Sequence, residues 1–166
     1  VGATSIITAG SSVKRQSCID LGVSVAIDYK AGPFVDEVIK ATKGQGVNLI
    51  LDFIGAPYFN QKLDSLAIDG RLVIIGTMGG VQVNELNLGH LLAKRLQIIG
   101  TALRSKTTQE KISLTQEFSE FALERFNNGQ LKPIVDSIWD WHEAQEAHEH
   151  MEGNKNTGKI VLQIKS

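Results

Sequence analysis

The chain has 166 residues, one domain of ordinary size, with 42% hydrophobic and 21% charged residues and 16 glycines. That composition belongs to a folded α/β or α+β protein and excludes a disordered or fibrous one. The net charge is -1, which argues against nonspecific nucleic-acid binding, and no apolar run approaches the roughly 20 residues of a membrane-spanning helix.

In chain order, the apolar, β-branched run at 5–9 predicts a buried strand ended by Gly10. Ser11 and Ser12 then cap a helix that runs to about Leu21 and stops at Gly22. Val25-Ala26-Ile27 forms a second strand. Phe34, Val38, Ile39 and Thr42 mark one face of the next helix. The almost continuous apolar run at 47–54 reads as a parallel strand covered on both faces. A helix at 58–66, a turn at Asp69-Gly70 and a buried strand at 71–75 follow. Then come a short helix at 88–94, a strand within Leu96–Leu103 and a longer helix at 110–127. Leu114, Phe118, Phe121, Ala122 and Phe126 supply the apolar stripe of that longer helix. The end of the chain departs from this rhythm, with a half-exposed strand at 134–139, a helix at 142–151 and a final strand at 159–164.

Strands alternating with helices predict a doubly wound parallel α/β sheet. Right-handed crossovers put every strand's C-terminal end on one edge, where ligands bind. The candidate ligand loops are therefore Gly10-Ser11, Asp28-Tyr29, Ile54-Gly55, Gly76-Thr77-Met78-Gly79 and Leu103-Arg104-Ser105.

The first of these loops carries the most chemistry. Gly10 leaves room, Ser11 offers a hydroxyl and a backbone N–H at a helix start, and Lys14 adds a positive charge one turn later. A small residue followed by a cation at such a strand end suits the 2′-phosphate of NADP, where an acidic residue would suit the ribose of NAD. Tyr29, after the next strand, can cover the same phosphate. The same residues also make an ordinary Ser-capped helix with a solvated lysine. No Gly-x-Gly-x-x-Gly loop is present. Gly76-Thr77-Met78-Gly79-Gly80 lies at a late strand end and opens no convincing helix, but after a buried strand it makes a bed for a flat ring.

Other groups read as structural. His142, His148 and His150 are spaced six and two apart, which does not put three imidazoles on one helix face. The neighbouring Glu143, Glu146, Glu149 and Glu152 make a solvated face. Cys18 is the single cysteine, which excludes an internal disulfide and a cysteine-cluster metal site, and it reads as a buried, inert thiol. Asp52, inside an apolar strand, is unusual: it either satisfies a backbone group near the cofactor edge or marks a strand end, and a structural role is preferred. No Ser-His-Asp set, carboxylate pair or P-loop can be assembled.

The stretches ITAGSSVKRQ, AIDYKAG, TKGQGVNLILDFIGAPYF, LAIDGRLVIIGTMGG, LLAKRLQIIGTALRSK and AHEHMEGNKNTGKIVLQI run in order from end to end. With them the chain resembles the C-terminal half of zinc-independent medium-chain dehydrogenase/reductases. Within that group it resembles the zeta-crystallin-type quinone oxidoreductases, and especially their tumour-suppressor-inducible animal members.

The resemblance implies a Rossmann-type sheet, NADPH as cofactor and hydride transfer to quinones. Gly10, Ser11, Lys14 and Tyr29 fall where that family holds the 2′-phosphate. Ile54 and Gly55 fall against the adenosine and ribose, and Gly76, Thr77 and Met78 on the nicotinamide side. Leu103, Arg104 and Ser105 border the nicotinamide, while Asn156 and Lys159 close over the cofactor. No residue is assigned a catalytic or metal-binding role. The strand at Leu96–Leu103 is the one such proteins pair across a homodimer.

The resemblance further implies an NADP(H)-binding domain over residues 1–130, with 131–166 returning to a GroES-like catalytic domain. The chain opens Val1-Gly2-Ala3 without an initiator methionine, and the expectation is that the first strand and the glycine-rich loop lie outside it. A gap would then separate the strand at Ile6 from the strand at Ile50, Trp139 and Trp141 would be exposed, and these 166 residues alone would turn over little. A cytoplasmic location is expected. Two other functions fit the same residues: an alkenal or enone reductase, and a noncatalytic dinucleotide-binding or interaction module.

Overall fold

The computed structural model describes residues 2–164. The chain divides into two compact units, Val1–Ser105 and Lys106–Ser166. The first unit runs β1 (Ile6–Thr8), α1 (Ser12–Asp20), β2 (Val25–Ile27), α2 (Val35–Ala41), β3 (Val47–Asp52), a 3-10 turn (Ala56–Tyr58), α3 (Phe59–Ser65), β4 (Leu66–Ile74), α4 (Leu88–Lys94) and β5 (Gln97–Gly100). All its strand pairs are parallel. The pairing is β1 with β2, and separately β3-β4-β5. Among the described residues no ladder joins β1 to β3, the position of the gap expected from the sequence.

Two apolar clusters hold this unit. Phe59, Leu63, Leu66 and Leu72 form one, against Val47, Ile50, Ile74, Leu91 and Leu96. Ile27, Phe34 and Val38 form the other, against Ile6, Val25, Tyr29, Val47 and Tyr58. Val47 belongs to both clusters, so β3 links the two ladders through its side chains. Lys94 reaches from α4 to the carbonyls of Asp64 and Leu66, each at 2.8 Å. A cation thus meets the open carbonyls at the C-terminus of α3.

β3 is covered on one face only. Ile50 and Asp52 point inward, whereas Leu49, Leu51 and Phe53 are 52%, 61% and 55% exposed. The continuous apolar run reported hydrophobicity on both faces, but α3 and α4 pack against one side of the sheet. The Asp69-Gly70 turn lies inside β4 rather than before it. Val47 pairs with Leu66 and Leu49 with Arg71, so the extra residues of β4 bulge out around Asp69, whose φ is 62°. Arg95 clasps the Asp69 carboxylate with two hydrogen bonds of 2.8 and 2.7 Å.

The second unit comprises α5 (Thr108–Asn127), β6 (Val135–Asp140), a 3-10 turn (Trp141–Glu143), α6 (Ala144–Glu152) and β7 (Lys159–Gln163). A capping box between Thr107 and Glu110 starts α5. β6 and β7 are parallel neighbours, so the terminal segment continues the strand-helix-strand rhythm instead of leaving it. The stripe on α5 has helical spacing, but only Ala122 is buried and Phe118 is 56% exposed. Periodicity places a stripe on a helix and says nothing of what covers it. Cys18 is half-buried, less enclosed than expected. Trp141 is exposed as expected, whereas Trp139 is half-buried, with its ring 5.8 Å from that of His150.

Candidate functional site

The loops that follow β1 and β2 meet. Ser11 is the N-cap of the nine-residue α1, and its hydroxyl accepts from the Lys14 amide at 3.2 Å. Gly10 sits directly under the next loop: a Cβ there would lie 2.6 Å from Lys30 Cε and 2.9 Å from the Tyr29 hydroxyl. Tyr29 is braced edge-on against Tyr58, with ring centroids 5.8 Å apart, and Tyr58 packs on Phe34. Gly10 and Tyr29 therefore meet at the sheet edge, with Ser11 and Lys14 at the start of the adjoining helix.

Arg15 and Lys30, outside the sequence-based set, also belong to this cluster. Arg15 donates to the Ala9 carbonyl at 3.1 Å and pairs with Asp28 at 2.7 Å. Asp28 in turn accepts from the Lys30 amide at 3.0 Å. These bonds tie the end of β1 to the end of β2. The signal was present in the sequence, since Arg15 and Lys30 each adjoin a residue already singled out.

The loops after β3 and β4 form a second assembly. Gly55 has φ 86° and ψ −133°, and its missing Cβ would lie 2.4 Å from the Gly80 carbonyl. Only glycine fits that conformation and that approach. The Ala56 amide donates to Gly80 O at 3.0 Å, Met78 N to Phe53 O at 3.1 Å and Gly79 N to Ile54 O at 2.8 Å. Phe53, Ile54 and Ala56 are thus stitched backbone to backbone to Met78, Gly79 and Gly80, with Thr77 packed beside Gly55 and Met78 83% exposed. Beneath them lies a buried ion pair. Asp52 accepts from the Ile54 and Gly55 amides at 2.9 and 3.2 Å and from the Lys62 ammonium at 2.7 Å. Asp52 does satisfy backbone groups, as expected; its partner Lys62 was not foreseen.

Leu103, Arg104 and Ser105 follow β5 along the same sheet edge and are exposed. Thr101 N donates to Ile74 O at 3.0 Å, which holds the start of this loop to the end of β4. Asn156 and Lys159 lie in the second unit. The Asn156 side chain donates to Gly158 O at 2.9 Å, and the Lys159 amide to Ile134 O at 2.8 Å. Asp136 anchors that turn by accepting from the Thr157 amide and from the His150 ring at 3.0 Å. The Thr157 hydrogen bond, helped by His150, holds the Asp136 carboxyl below the ordinary aspartate range.

The chain is similar to known proteins in sequence and fold. Residues 21–162 match the family described as zinc-binding dehydrogenase. The chain is 27% identical over 165 residues to a phenolphthiocerol/phthiocerol polyketide synthase from Mycobacterium tuberculosis, covering 99% of this chain and 7% of that protein. It is 33% identical over 79 residues to the quinone oxidoreductase of Mus musculus, covering 47% of this chain and 23% of that one. Among solved structures it superposes on a 2-haloacrylate reductase with a TM-score of 0.82 at 28% identity, covering 99% of this chain and 51% of the reductase. A mycobacterial protein complexed with NADPH gives a TM-score of 0.80 at 26% identity, covering 98% of this chain and 50% of that one. The chain therefore spans about half the length of these solved relatives.

Proposed function

The chain belongs to the zinc-binding dehydrogenase family, and from that premise we propose that it is the NADPH-holding part of an oxidoreductase that reduces quinones. It carries the parallel α/β dinucleotide-binding fold of medium-chain oxidoreductases. The observation behind the cofactor choice is the cluster at the end of β1. Gly10 lets the Tyr29 hydroxyl and the Lys30 side chain lie directly against the end of β1, and Ser11 caps α1 one turn before Lys14. No carboxylate ends that strand, where one would bind the ribose hydroxyls of NAD and repel a 2′-phosphate. The donors present, a hydroxyl, a phenol and ammonium groups, fit a phosphate dianion.

In this reading Gly10, Ser11, Lys14 and Tyr29 hold the 2′-phosphate. Ile54 and Gly55 support the adenosine and ribose; Gly76, Thr77 and Met78 line the nicotinamide side. Leu103, Arg104 and Ser105 border the ring. When bound, the cofactor supplies a hydride. Among the described residues no group of three His, Cys, Asp or Glu side chains is placed to hold a metal ion. His142 and His150 each face an aspartate.

The substrate is a quinone or another conjugated carbonyl. Both present an electron-poor carbon to a hydride. The likeness to a 2-haloacrylate reductase favours the enone form of the same chemistry as a second reading. A homodimer through Leu96–Leu103 rests on β5, the edge of its ladder, where Ile98 and Ile99 are 37% and 40% exposed.

The test is cofactor discrimination. Lys14→Ala removes one charge-assisted contact, of the order of 1.5–3 kcal/mol, and so weakens NADPH by roughly 10- to 150-fold while leaving NADH nearly unchanged. Equal losses for the two cofactors would remove the 2′-phosphate assignment. Turnover compared between a quinone and an acrylate or enone separates the two substrate readings.

A further inference from the structure

Lys62 lies on the buried side of α3, in the stripe Phe59, Lys62, Leu63, Leu66. Its side chain is 7% exposed and that of its partner Asp52 is 2% exposed. A buried ion pair gives a fold little that apolar side chains of similar volume would not, because desolvation consumes most of the attraction. Asp52 already has two amide partners in Ile54 and Gly55. What Lys62 adds is a second hydrogen bond, of 2.7 Å, to the carbonyl oxygen of Gly55.

That carbonyl belongs to the Gly55–Ala56 peptide, whose other end is also fixed, the Ala56 amide donating to Gly80 O at 3.0 Å. Glycine at φ 86° and ψ −133° has wide conformational freedom. A rotation of this peptide would break the bridge between Gly55 and Gly80. The Ile54-Gly55 loop would then lose its register against Gly76–Met78.

From this geometry we infer that Lys62 is a positioning residue: its ammonium locks the Gly55–Ala56 peptide and so holds the loops after β3 and β4 as one cofactor bed. The inference rests on the reading that Ile54, Gly55, Gly76, Thr77 and Met78 face NADPH.

The test compares the protein with Lys62→Met and with the double variant Asp52→Asn/Lys62→Met. The single variant strands a buried carboxylate and lowers stability. The double variant removes both charges and keeps an acceptor for the Ile54 and Gly55 amides, so stability recovers, yet Gly55 O still lacks its donor. Two readouts are taken below the melting transition: NADPH affinity by fluorescence titration, and amide hydrogen exchange at Ala56, Met78 and Gly79 with Leu72 as the core reference.

In the double variant the NADPH Kd stays raised about tenfold, and the three loop amides exchange at least about tenfold faster while Leu72 does not. Wild-type affinity and wild-type loop exchange in the double variant would reduce Lys62 to a counter-ion and overturn the inference. Faster exchange at Leu72 in step with the loops would do the same, because it would mark global destabilisation. If the loop amides loosen as expected but the unaltered protein does not bind NADPH, the lock stands and the cofactor reading fails.

Discussion

Gly10→Ala probes the proposed 2′-phosphate site without removing any charge. The added methyl would stand 2.9 Å from the Tyr29 hydroxyl and 2.6 Å from Lys30 Cε, against an ordinary contact of 3.4 Å or more. Lys30 is exposed and flexible and yields. Tyr29 yields less, because its ring is braced against Tyr58, which packs on Phe34. The hydroxyl or the β1–α1 loop must therefore retreat by about half an ångström, the difference between that contact and an ordinary one. A charge-assisted hydrogen bond is worth about 1.5–3 kcal/mol, and weakening one by half to all of its strength raises the NADPH Kd roughly 4- to 150-fold.

Gly10 does not have a positive φ, so alanine fits the backbone and also reduces the entropy of the unfolded chain. Thermal stability should change little. Parallel fluorescence titrations with NADPH and NADH measure the effect, with NADH affinity held within about twofold of its starting value. Unchanged NADPH affinity, or an equal fall for both cofactors, would refute the reasoning.

Other expectations follow from the packing and the charges. Leu72 is fully buried in the cluster with Phe59, Leu63 and Leu66. Leu72→Ala should cost about 2–5 kcal/mol in urea unfolding, the range for a large-to-small core change. Asp136 titrates below the ordinary aspartate range when folded, because the Thr157 amide and His150 stabilise its charged form. A depressed folded value contributes stability above the unfolded value, and that contribution is lost as pH falls through the folded one. Asp136→Asn should therefore flatten the acid limb of a melting-temperature profile against pH, and an unchanged limb would contradict the assignment.

Much of the fold was legible because β1, β2 and β3 are short, largely apolar runs ended by glycine or a polar turn, and α1, α4 and α5 start at side-chain caps. Ser11 and the Thr107–Glu110 box start α1 and α5 as such residues do. What escaped depends on neighbours rather than on local pattern. Leu49, Leu51 and Phe53 alternate as a core face would, but nothing in an apolar run records whether a second layer covers it. The bulge in β4 comes from pairing Leu49 with Arg71 rather than with a residue nearer Leu66, and register is a tertiary property.

The meeting of the loops after β1 and β2 was legible from Gly10 and Tyr29, which stand at adjoining strand ends. The Arg15–Asp28 pair was missed because it joins two elements across the ladder. Lys62 did leave a trace, being a charge on an apolar stripe that starts at Phe59. Its partner Asp52 was equally out of place in its strand, and two misplaced opposite charges ten residues apart are the signature of the pair.

The central claim is that this chain holds a dinucleotide by its 2′-phosphate. The most direct measurement is the Kd of the unaltered protein for NADPH and for NADH, each taken at low and high salt. NADPH should bind at least about tenfold more tightly. Its advantage should shrink as salt screens the partly exposed phosphate site. Equal affinities, or a preference for NADH, would contradict the account.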